Sequence, residues 1–103
     1  MQVGITQLNP DEVITALRGL KDLIRKKFKA EIVGIFGSVA RREQTAESDL
    51  DVLVRFGQGA TLFDVVELEY FLEEKFSCKV DVVSEKTLKP RIQPNVMQDL
   101  LPL

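Results

Sequence analysis

Gly37-Ser38-Val39-Ala40-Arg41-Arg42-Glu43-Gln44-Thr45-Ala46-Glu47-Ser48-Asp49-Leu50-Asp51 joins two apolar runs. Ile32-Val33-Gly34-Ile35-Phe36 leads into it, and Leu50-Asp51-Val52-Leu53-Val54 leaves it with acids near the start. Both runs have the length and residue types of buried strands. A Gly-Ser turn therefore follows one strand, and an Asp-x-Asp opens the next. Side chains two apart on a strand project to one face, so Asp49 and Asp51 point the same way. Backbone N–H groups at a turn that opens a helix suit a phosphate. Carboxylates beside a phosphate site suit Mg²⁺, an ion that takes oxygen ligands and shares the oxygens of phosphate.

The chain has 103 residues, the size of a single domain (1–103) with one modest core. Its 45% apolar and 29% charged residues are those of an ordinary globular protein. A net charge of −2 and a pI near 5.2 argue against direct nucleic-acid binding, which calls for a basic face. The single cysteine and the absence of histidine exclude an internal disulfide, a Cys/His zinc site and a histidine general base. No signal-peptide core and no membrane-length apolar run can be read, so the expectation is a cytoplasmic protein with no membrane contact.

Outward from the motif, residues 1–8 read as a loose lead-in. Asn9-Pro10-Asp11-Glu12 reads as a helix start, with Asn as N-cap and Pro at the first helical position. Val13, Leu17, Leu20, Ile24 and Phe28 then form one apolar stripe. Arg25, Lys26, Lys27 and Lys29 suit the negative end of that helix. Ser38 to Arg42 opens a short helix, and Glu43 to Ser48 reads as a polar loop. The second strand covers about 50–55 and reads as covered on both faces. Thr61 and Asp64 resemble a capping box at the start of a helix running to about Lys75. That helix is expected to bury Leu62, Val65, Leu68, Leu72 and Phe76, and to turn Glu67, Glu69, Glu73 and Glu74 to water. Tyr70 is expected to pack, and Cys78 to be buried as a small hydrophobe. Lys79 to Val83 is the third strand, Leu88-Lys89-Pro90 and Gln93-Pro94 mark a turn, and Asn95 to Leu101 is a last helix ending at Pro102. The order is α-β-α-β-α-β-α, an α/β (α+β) fold with a small mixed sheet flanked by helices.

Asp81 is the one acid in the third strand. If that strand neighbours the second, Asp81 joins Asp49 and Asp51 on one face. Three carboxylates can hold two Mg²⁺ roughly 3.5–4 Å apart, the spacing of two-metal phosphoryl chemistry. Asp49 also has a bland reading, as a turn former at the start of a strand. Asp51 and Asp81 interrupt runs of Val and Leu, where an uncompensated carboxylate is costly.

Gly37-Ser38, ten residues, Asp49-x-Asp51 and a later strand acid, Asp81, together resemble the nucleotidyltransferase superfamily of DNA polymerase β. The short chain and the wording G-S-V-A-R…S-D-L-D-V-L-V more narrowly resemble the minimal nucleotidyltransferases, antitoxin partners of HEPN-domain ribonuclease toxins. The resemblance runs from the first helix to the last. It implies that Gly37 and Ser38 hold the β- and γ-phosphates of a nucleoside triphosphate. It implies Asp49 and Asp51 as ligands shared by two Mg²⁺ ions, and Asp81 as the third ligand and acceptor of the nucleophile's proton. Arg41 falls where the family has a basic residue facing the phosphates; its alternative is a surface ion pair with Glu43. Arg42 departs from the family's frequent Gly or Asn, and costs roughly 1–2 kcal/mol if the left-handed backbone is kept. The implied reaction is transfer of AMP from ATP to a tyrosine hydroxyl of a HEPN toxin. Two alternatives stand beside it: a non-catalytic binding module that masks the toxin, and a small-molecule nucleotidyltransferase, which usually needs a second domain.

Overall fold

A computed structural model of the chain describes residues 8–87 and 93–103. The turn read at Leu88-Lys89-Pro90 and most of the lead-in lie outside the described residues. Helix α1 (Pro10–Phe28) starts where the sequence puts it: the Asn9 side chain accepts the Asp11 N–H at 2.8 Å, and Pro10 occupies the first turn. Val13, Leu17, Ile24 and Phe28 of its stripe are buried, with Leu20 at the margin. The helix ends at Lys29 in a left-handed conformation, whose N–H returns to the Arg25 carbonyl.

Strands β1 (Ala30–Phe36) and β2 (Leu50–Phe56) are antiparallel, linked through the short helix α2 (Gly37–Ala40) and the polar loop. Helix α3 (Leu62–Phe76) carries the chain back to β3 (Val80–Ser84), which lies parallel to β2. A parallel neighbour needs such a crossover. Val52, Leu53 and Val54 are all buried, so β2 is covered on both faces as its unbroken apolar run implies. The core packs α1 and α3 against one face of the sheet, with the rings of Phe28 and Phe71 5.3 Å apart.

The sequence reading of the last segment needs correction. Gln93-Pro94 does not turn the chain but begins helix α4 (Gln93–Asp99), where proline's missing N–H costs nothing. Leu101-Pro102, expected to end that helix, instead form a short strand, β4, antiparallel to β1. The sheet order is β3-β2-β1-β4. Proline is tolerated in β4 because the strand lies at the sheet edge.

Helix α3 also departs from its reading. Its capping box forms, the Asp64 carboxylate accepting the Thr61 N–H at 2.8 Å. Leu62 is 76% exposed rather than buried, and Tyr70 is 67% exposed rather than packed. Glu69 and Glu73 do not simply face water. Their carboxylates accept the N–H groups of Val82 and Val80 at 3.0 and 3.1 Å, occupying donors on the open edge of β3.

Gly34 is where β4 presses on the sheet: a Cβ there would collide with the Leu101 carbonyl. Gly34→Ala is expected to destabilise the fold by about 1–3 kcal/mol. It should also release the Leu103 amide, which donates to the Val33 carbonyl at 3.0 Å. Thermal melting beside hydrogen exchange checks this. Unchanged stability with Leu103 still protected would show that β4 does not depend on the glycine.

Candidate active site

The site grows out of the way β1 ends. Val39, fully buried, pins α2 to the core, so the chain must turn sharply immediately after Phe36. Gly37 makes that turn with φ +77°, a region open to glycine and strained for other residues. A second constraint acts on the same residue. Phe36 is the cross-strand partner of Asp51, and a Cβ on Gly37 would run into the Asp51 carboxylate. Glycine is therefore required twice over, by backbone angle and by the acid beside it. The Gly37 turn is half-buried, not a purely surface feature.

From Gly37 the backbone closes on itself. The Gly37, Val39 and Ser38 carbonyls accept the N–H groups of Arg41, Arg42 and Glu43 at 3.1, 3.0 and 2.8 Å. Arg42 takes φ +60°, the left-handed conformation anticipated at this position. Its guanidinium reaches Asp11 at 3.1 Å, an exposed pair that offsets little of the strain.

The three acids come together as the pairing dictates. Asp51 on β2 is directly paired with Asp81 on β3, so the two side chains leave the sheet on one face. Asp49 lies just ahead of β2, whose first residue is tied to β3 by the Leu50 N–H and the Lys79 carbonyl at 2.9 Å. Asp49 and Asp81 are exposed, whereas Asp51 is partly buried. Burial, then the negative charges of Asp81 and Asp49, push the Asp51 carboxyl up to about 6; the Arg41 cation pulls it the other way. Asp51 thus feels Asp49, Asp81 and Arg41, the other charged residues that the sequence reading assigned to the site. Arg41 holds Glu43 at 3.3 Å, the alternative read from sequence, and also Asp99 on α4 at 2.6 Å.

Among the described residues no group of three His, Cys, Asp or Glu side chains is arranged to hold a metal ion. The donor chemistry nonetheless fits a hard divalent cation. It consists of oxygen alone, and its half-buried member is crowded by like charge that a cation would relieve.

A family model described as a nucleotidyltransferase domain matches residues 17–102. The chain belongs to the nucleotidyltransferase domain family. It is 32% identical over 97 residues to the protein adenylyltransferase MntA of Thermococcus cleftensis, covering 94% of this chain and 98% of that one. A solved structure provisionally described as a minimal nucleotidyltransferase matches with a TM-score of 0.75 and 38% identity, over 93% of this chain and 97% of the other. A crystal structure of a mutant toxin–antitoxin MntA–HpeT shares the fold, with a TM-score of 0.65 and 24% identity, over 94% of this chain and 72% of that chain. The chain is a nucleotidyltransferase with the mixed α/β architecture of the minimal members.

Sequence reading missed Asp99. It lies far from the motif in a segment that carries no spacing signal, and only the β4 pairing brings it to Arg41. Cys78, half-buried, has its thiol pushed up to about 11 by burial and then by Glu73 and Asp49, which makes it an inert small apolar group.

The raised Asp51 carboxyl has a consequence for stability. Between its unfolded value of 3.8 and about 6 the native state binds more protons than the unfolded chain, so stability falls as pH rises through that window. Asp51→Asn removes the ionisation. In the absence of divalent cations the variant should be more stable than wild type at pH 8, by roughly 1–2 kcal/mol after allowance for solvent screening. The gain should fade to nothing near pH 4. Denaturant melts at the two pH values check it, and a difference independent of pH would contradict the burial of that charge.

Proposed function

We propose that this nucleotidyltransferase transfers AMP from ATP to a hydroxyl of a partner protein, a tyrosine of a HEPN-domain ribonuclease toxin, and so acts as the antitoxin of the pair. The observation that carries the chemistry is the Asp51–Asp81 register packed against the Gly37 turn. It sets a turn suited to phosphate beside carboxylates suited to a cation. The protein substrate is supported by the adenylyltransferase name of the MntA relative, and the toxin partner by the MntA–HpeT structure that shares this fold.

In this reading Gly37 and Ser38 receive the β- and γ-phosphates. Glycine lets the backbone approach closely, and serine adds a hydroxyl donor. Arg41 meets the same phosphates with its cation. Asp49, Asp51 and Asp81 would hold two Mg²⁺ ions, which supply neutralisation of the charge that develops on the phosphates and lower the pKa of the attacking hydroxyl. Asp81, on the edge strand and open to solvent, takes the proton from the acceptor hydroxyl. The hydroxyl oxygen bonds to the α-phosphorus as the bond to the β-phosphate oxygen breaks, and pyrophosphate leaves.

The rival reading is a binding module that silences the toxin by covering it. Asp81→Asn separates the two, since it keeps the shape and removes the charge. The exposed position of Asp81 between Val80 and Val82 means that packing should survive. Transfer should fall by about 10²-fold or more, on the scale of a lost general base. Co-expression with the HEPN protein, followed by mass spectrometry of that protein, gives the readout. The expected mutant binds the toxin, leaves no nucleotide on it and does not protect the cell. Full protection without a nucleotide on the toxin would favour masking.

A further inference from the structure

Arg41 does not reach its carboxylate neighbours in the site. Its guanidinium is occupied on two sides, Nε by Glu43 at 3.3 Å and one terminal nitrogen by Asp99 at 2.6 Å. The two partners differ in kind. Glu43 is two residues along the same loop and well exposed, so it follows wherever the loop goes. Asp99 comes from the other end of the chain and is the least exposed carboxylate in any ion pair among the described residues, at 27%.

Asp99 is also held in place independently of Arg41. Two residues beyond it, Leu101 pairs with Ile35 and then Pro102 with Gly34, and the Leu103 N–H is bonded to the Val33 carbonyl. The backbone that carries Asp99 is therefore anchored to the same strand, β1, that ends in the Gly37 turn. Its position is not explained by helix stability. Asp99 is the last residue of α4, where a negative charge opposes the helix dipole. An ion pair this exposed contributes little to stability either.

We infer that Asp99 is a positioning residue for Arg41, holding its cation at the mouth of the site so that it meets the triphosphate instead of folding onto Asp51. This rests on the nucleotidyltransferase reading of the site. Arg41 is near enough for its charge to act on Asp51, yet its named hydrogen bonds run to Glu43 and Asp99. Freed from Asp99, the arginine keeps only the exposed Glu43 as a partner, and Asp51, whose carboxyl already responds to its charge, becomes an alternative. That collapse would both withdraw a phosphate contact and fill the place of the cation.

Binding of Mg-ATP, measured by calorimetry on the full chain, tests it. Asp99→Ala should weaken binding about tenfold, the scale of a charge-assisted hydrogen bond lost from the site, while the melting temperature moves by only a few degrees. Asp99→Glu should recover most of the affinity. Arg41→Ala should lose at least as much, and Arg41→Ala with Asp99→Ala should bind no more weakly than Arg41→Ala alone. If Asp99→Ala does not fold, Asp99→Asn takes its place in the same cycle. Unchanged or tighter binding by the Asp99 variants, or losses that add in the double variant, overturns the inference while leaving the site reading intact. A wild type that binds no Mg-ATP overturns both.

Discussion

The backbone of Gly37 lies against the carboxylate of Asp51, and this contact sets the geometry of everything around it. Neither partner is free to move. Gly37 is fixed by the burial of Val39 two residues on, and Asp51 by pairing with Phe36 on one side and Asp81 on the other. A side chain at Gly37 would displace the acid; a shift of β2 by one residue would turn Asp51 into the core and bring Leu50 or Val52 to the site. The fold positions the site through strand register, which is an all-or-none property.

That arrangement stores electrostatic cost. Asp51 is drawn partly out of water beside two other acids, and its carboxyl rises to about 6 as a result. A structure shaped for stability alone would place an apolar residue here, as β2 does at Val52, Leu53 and Val54. The cost is recovered only when positive charge arrives. In the proposed reading that charge is the divalent cation that accompanies the nucleotide, and its binding relieves the crowding at Asp51. Arg41 supplies part of the positive charge permanently, restrained by Asp99 from supplying all of it.

Much of this was legible in the sequence, because the decisive features are local. The Asn9-Pro10 start of α1, the Thr61–Asp64 cap of α3 and the apolar run of β2 each follow from a few adjacent residues, whereas the left-handed Arg42 was implied only by the family resemblance. The convergence of Asp51 and Asp81 was legible only on condition that β2 and β3 are neighbours, which the pairing satisfies. What escaped notice depends on contacts distant in sequence. A two-residue strand such as Leu101-Pro102 has no periodicity to read, and without it Asp99 has no address near Arg41. Glu69 and Glu73 look like solvated helix residues until the open edge of β3 is placed beneath them. Leu62 fell on the apolar stripe by spacing, but it sits in the first turn of α3, beyond the reach of the core.

The central claim is that the Gly37 turn and the three carboxylates form one nucleotide and cation site. Mn²⁺ in place of Mg²⁺ reports on it without relying on turnover, since a bound paramagnetic ion erases the NMR signals of nuclei near it. With ATP and a small amount of Mn²⁺, the amide signals of Gly37, Ser38, Asp49, Asp51 and Asp81 should broaden and disappear. Those of α1 near Gly19 and of α3 near Val66 should remain. Signals at the turn and the carboxylates that persist while another surface is broadened would contradict the account.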